Sequence, residues 1–142
     1  MTSLEELAER IARAPFNSWL GLTPVAIDEN GVTIEIETRP EMRGNTTTGF
    51  IHGGVVSAII DAVCSYAWLA REGGLVSTID LRTDFHRPVA TGKVLVRADI
   101  IRAGKRIVTV DARVTDTAGR LLASGRAVMT PIEAPAQPAG AS

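Results

Sequence analysis

The longest apolar run of this chain, GFIHGGVVSAIIDAVCSYAWLA from Gly49 to Ala70, contains one acidic side chain, Asp61. The run reads as a long helix, and a helix apolar on all sides has to be covered on all sides. An unpaired carboxylate inside such a helix costs several kcal/mol, so Asp61 is expected to be paired, protonated or employed in chemistry. Ser57 and Ser65 stand four residues to either side of it, which places the three polar groups on one narrow stripe. His52, Gly53 and Gly54 stand at the front, where a helix leaves backbone N–H groups without intrahelical partners. A carboxylate about two turns from a glycine-lined helix start suits acyl transfer. The alternative is an aspartate that only hydrogen-bonds a neighbouring strand.

Composition narrows the field. A chain of 142 residues makes one domain with a real core. Acidic and basic residues nearly balance, 16 against 15, and are mixed along the chain, so no electrostatic footprint for nucleic acid is present. The lone Cys64 cannot form an internal disulfide, and the amphipathic start MTSLEELAERIARA lacks the basic and apolar segments of a signal peptide. Both features lead us to expect a cytoplasmic protein, with Cys64 as a small core residue. A spanning helix needs about 20 apolar residues, and a central Asp costs about 2.5–3.5 kcal/mol on insertion. The Gly-Gly pair, His52, two serines and the amphipathic strands that follow argue against a membrane span.

Strands are legible on both sides of the helix. Leu22–Ile27 and Val32–Glu37 flank Asp28-Glu29-Asn30-Gly31, a hairpin signal. After the helix, Leu75–Arg87 alternates, with Ile79, Leu81 and Phe85 on one face and Asp80, Arg82, Asp84 and His86 on the other, and Pro88 ends it. Gly92–Arg102, Arg106–Thr115 and Leu121–Thr130 follow, the last two joined by the turn Asp116-Thr117-Ala118-Gly119. Short Gly-containing connections make neighbouring strands antiparallel. Residues 1–132 are expected to form the domain and the Pro/Ala-rich 133–142 to fray. The fold expected is therefore α+β, one long helix held inside a curved antiparallel sheet. A single sheet of this size leaves one flank of the helix open, so a two-fold dimer or a pair of dimers is expected.

These residues carry a resemblance. His52-Gly53-Gly54 followed by an acid nine positions after the histidine resembles the hotdog-fold acyl-CoA thioesterases of the phenylacetate-pathway (PaaI-like) type. The likeness extends to Trp19-Leu20-Gly21-Leu22, Phe85-His86-Arg87-Pro88 and Gly104-Lys105-Arg106. It implies the hotdog fold, a homodimer or homotetramer with active sites shared between subunits, and an acyl-CoA substrate. It further implies Asp61 as nucleophile or general base and the Gly53 N–H as the group that polarises the thioester carbonyl. Ser65 would help hold the attacking water or the intermediate, and His52 would orient the loop and contact the thioester region, its other reading being a helix cap bonded to backbone. Such enzymes often carry Asn or Gln six residues before the histidine. Here Thr46 holds that place, and Asn45, one residue earlier, is the candidate through a shifted loop.

The chemistry stands beside the resemblance. A thioester carbonyl is already a good electrophile, so a carboxylate and oriented N–H donors suffice without a metal or cofactor. Gly53 and Gly54 let the carbonyl approach the backbone, and the helix dipole favours the developing oxyanion. Lys105, Arg106 and Arg87, with Arg82 behind them, are candidate contacts for CoA phosphates, although a solvated strand face explains each one singly. The two histidines, far apart and without cysteine spacing, give no metal site. Val56, Ile60, Tyr66 and Trp68 are candidates for an acyl pocket and equally for core. Two other functions stay open: an acyl-thioester dehydratase or hydratase, and a non-catalytic acyl-CoA-binding module.

Overall fold

The computed structural model describes residues 1–133 and orders them as helices α1 (Leu4–Arg13) and α2 (Pro15–Leu20), strands β1 (Leu22–Ile27) and β2 (Gly31–Thr38), helix α3 (Gly53–Glu72), and strands β3 (Leu75–Phe85), β4 (Gly92–Ala103), β5 (Val108–Asp116) and β6 (Leu121–Ile132). This is the expected α+β hotdog arrangement, with an antiparallel sheet in the order β1-β2-β4-β5-β6-β3 around α3. A 3-10 turn over Pro40–Met42 precedes the loop to α3. Except for Glu133, the stretch expected to fray lies outside the described residues.

Helix α3 has the length and apolarity of a membrane span, but it is the core helix. Val56, Ile59, Ile60, Val63, Cys64, Ala67 and Leu69 are buried against the sheet, each large side chain contributing roughly 1.5–3 kcal/mol. Its C-terminus is closed by Gly73 in the left-handed conformation (φ 77°). The chain start also covers it: the Thr2 N–H donates to the Ala70 carbonyl at 2.8 Å, and Arg10 donates to the Gly73 carbonyl. Helix α1, whose Ser3–Glu6 capping box fixes its start, packs there through Leu7 and Ile11.

Burial of α3 is not complete on every side. Gly54, Ala58, Asp61, Ser65, Trp68 and Glu72 recur at helical spacing and none is buried. Asp61 is therefore half-buried at the middle of an open stripe, where the composition of the run suggested full burial.

The sheet departs from the simple reading in two ways. Strands β3 and β4 follow each other in sequence but do not pair: β3 lies at an edge beside β6, and β4 pairs with β2 and β5. A bulge also breaks the expected alternation of β3 between Thr78 and Asp80. Ile79 is 59% exposed and does not share the inward face of Leu81. Thr78 takes that face, opposite Met129, and Leu81 faces in opposite Ala127.

Strand β3 is held close to β6 and α3 at Gly125. A Cβ there would stand 2.6 Å from the Arg82 carbonyl oxygen and 3.0 Å from Ile60 Cγ2. Backbone cannot yield as a side-chain end can, so Gly125→Ala is expected to destabilise the fold by about 1–3 kcal/mol. Urea unfolding checks this. A wild-type midpoint would mean that β3 can move away from β6 at no cost.

Candidate active site

The helix start is built around His52. Its Nδ1 accepts the Gly54 N–H at 2.8 Å, and its own N–H donates to the Met42 carbonyl at 2.8 Å. The imidazole is thus the N-cap of α3, and in its neutral form the proton lies on Nε2. The Gly54 N–H is occupied by this cap. The Gly53 N–H has no acceptor among the described residues and remains the free donor of the first turn. Neither glycine has a positive φ. They are required for space: a Cβ on Gly53 would lie 3.2 Å from Phe85 Cζ, and one on Gly54 would lie 2.9 Å from His52 Nδ1.

Gly53 opens on a cleft of about 380 Å³ lined by Phe50, Ile51, Val56, Phe85, Arg87 and Val89, among others. Phe50 and Phe85 are exposed there, 41% and 56%, so the mouth is apolar. Arg87 lines the same cleft and donates to the Leu121 carbonyl at 2.7 Å, which fixes its guanidinium beside the mouth. His86 is exposed and bonded to the Ser124 hydroxyl at 2.8 Å.

The acid belongs to a second cluster farther along α3. Asp61 Oδ1 accepts the Thr78 hydroxyl at 2.6 Å, and Oδ2 has no partner among the described residues. The bond to a neighbouring strand that the sequence allowed is present, and one carboxylate oxygen stays free beside it. Ser57 donates to Thr83 Oγ1 at 2.9 Å, so the polar stripe of α3 faces the threonines of β3. Ser65 Oγ donates to the Asp61 backbone carbonyl at 3.1 Å. The same hydroxyl lies 3.7 Å from Met129 Sδ, so its proton is shared between the helix carbonyl and β6.

Thr78 is the residue that sequence reasoning missed. Strict alternation puts it on the face opposite Leu81, and only the bulge at Ile79 turns its hydroxyl toward α3. The one available signal was a hydroxyl residue on the strand directly after a helix with an unexplained acid.

Other candidates lie elsewhere. Asn45 Oδ1 accepts from the Thr47 and Thr48 N–H groups, an Asx turn that shapes the exposed loop before His52. Lys105 and Arg106 are exposed in the β4–β5 turn. That turn neighbours Val108, which pairs with Met129 opposite Thr78, whereas the helix start adjoins Phe85 at the other end of β3. Within one chain they do not reach Gly53. Cys64 is buried, and burial pushes its thiol up to about 12, so it is a protonated core residue.

Gly53 and Asp61 lie eight residues apart on one straight helix, hence about 12 Å along its axis. A single thioester carbonyl cannot meet both in the same chain.

Comparison with known proteins follows the same lines. Residues 48–123, from the loop before α3 to the start of β6, match the Thioesterase superfamily. The chain is 33% identical over 125 residues to the Mycobacterium tuberculosis protein Rv1847, provisionally named an esterase, covering 84% of this chain and 88% of that one. The solved structure of that protein superposes with a TM-score of 0.76 at 30% identity, over 87% of this chain and 100% of the other. A protein of Salmonella typhimurium named medium/long-chain acyl-CoA thioesterase YigI is 28% identical over 108 residues, 66% of this chain and 70% of its own. The Haemophilus influenzae thioesterase HI1161 superposes with a TM-score of 0.82 at 25% identity, over 93% of this chain and 92% of that one.

The cap geometry gives His52 a role that can be separated from contact with substrate. His52→Ala is expected to cost about 0.5–2 kcal/mol of stability, and His52→Asn, a good N-cap, to recover most of it. Thermal melts of both variants check this. An unchanged Ala melt would deny the cap, and lost turnover in a fully stable Asn variant would mean that the imidazole itself touches the substrate.

Proposed function

The chain belongs to the Thioesterase superfamily, and on that basis we propose that it hydrolyses acyl-CoA thioesters with Asp61 as the reacting carboxylate. The observation that carries this reading is the half-open Asp61. One oxygen is oriented by Thr78 and the other is unengaged, in the middle of an apolar helix where an idle charge has no structural use. The Gly53 N–H, at the positive end of the helix dipole, is the donor for the thioester oxygen as charge develops on it. Asp61 either removes a proton from water or attacks the acyl carbon itself, giving an anhydride that water then opens. In the first route, and in the second where water attacks the acyl carbon, water's oxygen ends on the acyl carbon; in both the C–S bond breaks and the CoA sulfur leaves with a proton.

The spacing of about 12 Å supports a site shared by two chains. In a two-fold pair of α3 helices related through Ser57, Gly53 of one protomer faces Asp61 of the other, and the reverse contact follows by symmetry. The open stripe from Gly54 to Trp68 and the edge strand β3 are the surfaces such a dimer covers. The antiparallel helices also bring the partner subunit's Lys105 and the partner subunit's Arg106 to the end of the molecule where Arg87 and Gly53 lie. All three then serve the CoA phosphates. A pair of such dimers, with the same shared sites, extends this assembly.

The dehydratase or hydratase reading needs a histidine base beside the carbonyl. Here Nδ1 of His52 is committed to the helix cap. A binding module gains nothing from a free carboxylate beside a thioester. The name of YigI supports an acyl-CoA substrate for this chain as well.

Asp61→Asn keeps the size of the side chain and can still accept from Thr78. The variant is expected to fold and bind substrate while losing at least about a thousandfold in kcat/KM. Release of free thiol from a panel of acyl-CoAs measures this. Wild-type-like hydrolysis by the Asn variant would sink the assignment, and an inert wild-type protein that binds acyl-CoA would favour the binding module.

A further inference from the structure

A cavity of about 340 Å³ lies between α1, the second half of α3 and the first residues of β3. Its walls are mainly apolar, from Ala14, Leu69, Leu75, Val76 and the ring of Tyr66, and Ser65 stands at one end. Asp61 and Thr78 do not line the cavity, but Asp61 lies one helical turn from Ser65 and Thr78 two residues from Val76, which do. From Asp61 to Ser65 the helix advances about 6 Å, and from Thr78 to Val76 the strand advances about 7 Å in the same direction. A ligand with its reacting carbon at the Asp61–Thr78 contact therefore enters this cavity with the next atoms of its acyl group. Leu69 stands about 12 Å from Asp61 along the axis.

The exposed Arg10 and Arg13 also border the cavity, and one polar pair interrupts its apolar wall. Asn17 Nδ2 donates to the Tyr66 hydroxyl at 2.9 Å, joining α2 to α3 across the cavity lining. The Tyr66 oxygen is thus already an acceptor, and its own O–H has no acceptor among the described residues. Tyr66 is only 6% exposed, and burial holds its phenol above the usual phenol range, so the proton stays in place. A buried donor without an acceptor is costly, and a ligand atom that accepts from it gains what the protein leaves unmade.

We propose that this cavity is the acyl pocket of the Asp61 site and that Tyr66, positioned by Asn17, selects acyl groups carrying an oxygen acceptor away from the thioester. The inference rests on the thioesterase reading above and adds to it the chemical class of the acyl group. Tyr66 is a specificity residue in this account, and Asn17 a positioning residue that turns the phenol O–H toward the ligand.

The test compares straight-chain acyl-CoAs of increasing length with their ω-hydroxy counterparts. At the chain length whose end meets Tyr66, the wild-type protein is expected to favour the hydroxylated member by about tenfold in kcat/KM, the effect of one hydrogen bond. Tyr66→Phe is expected to bring that ratio close to unity, since it removes the donor and keeps the ring. Equal rates for both members at every length, or a ratio unchanged in Tyr66→Phe, would overturn the proposal. Calorimetric binding to Asp61→Asn protein gives the same comparison without turnover. A protein that hydrolyses nothing yet binds the hydroxylated member more tightly supports the pocket and refutes the reaction. Equal binding of both members refutes the pocket whatever the protein hydrolyses.

Discussion

One rigid helix carries both halves of the candidate site, and its rise per residue keeps them about 12 Å apart. No side-chain motion closes that distance, because the proposed oxyanion donor is a backbone N–H and the proposed reacting acid is a short aspartate. The remaining architecture follows from this constraint. The sheet wraps α3 on the faces of Ile60, Val63 and Ala67 and leaves open the stripe through Gly54, Asp61 and Ser65. On the shared-site proposal, the open stripe is where a second copy supplies what one chain separates.

The acid is tied to the fold by strand β3. Its bulge at Ile79 places the Thr78 hydroxyl on Asp61, and close packing of Gly125 under Arg82 and Ile60 holds the strand at that depth. The edge position of β3 matters too. Because β6 pairs with it on one side alone, the other side is free to meet a partner, which is the usual hazard and the usual use of an edge strand. On the proposed shared-site reading, the dimer contact and the orientation of the carboxylate depend on the same strand.

Much of this was legible in the residues. The apolar run with its single acid, the glycine-lined helix start, the alternating strands and the Asp116–Gly119 turn all rest on local patterns that tertiary contacts did not override. Other features required neighbours distant in sequence. The pairing of β3 with β6 depends on where the chain returns after β5, and the bulge depends on the depth that α3 demands of β3. No periodicity encodes either. Gly31 shows the limit well: beside Asn30 it reads as a turn glycine, yet its φ is not positive, and its lack of a side chain serves the approach of β4, whose Ala98 oxygen would lie 1.8 Å from a Cβ. Lys105 and Arg106 were readable as exposed cations, but their position at the far end of the sheet from Gly53 was not.

Sharing of the site between two chains is the central claim, and subunit mixing tests it most directly. Asp61→Asn subunits lack the carboxylate, and Gly53→Val subunits block the approach to the oxyanion donor. Each homodimer alone should be nearly inactive. A mixed dimer unites the intact Gly53 of one chain with the intact Asp61 of the other, so random exchange of equal amounts should restore about a quarter of the wild-type rate. A mixture no more active than its two parents would place the whole site within one chain and contradict the account.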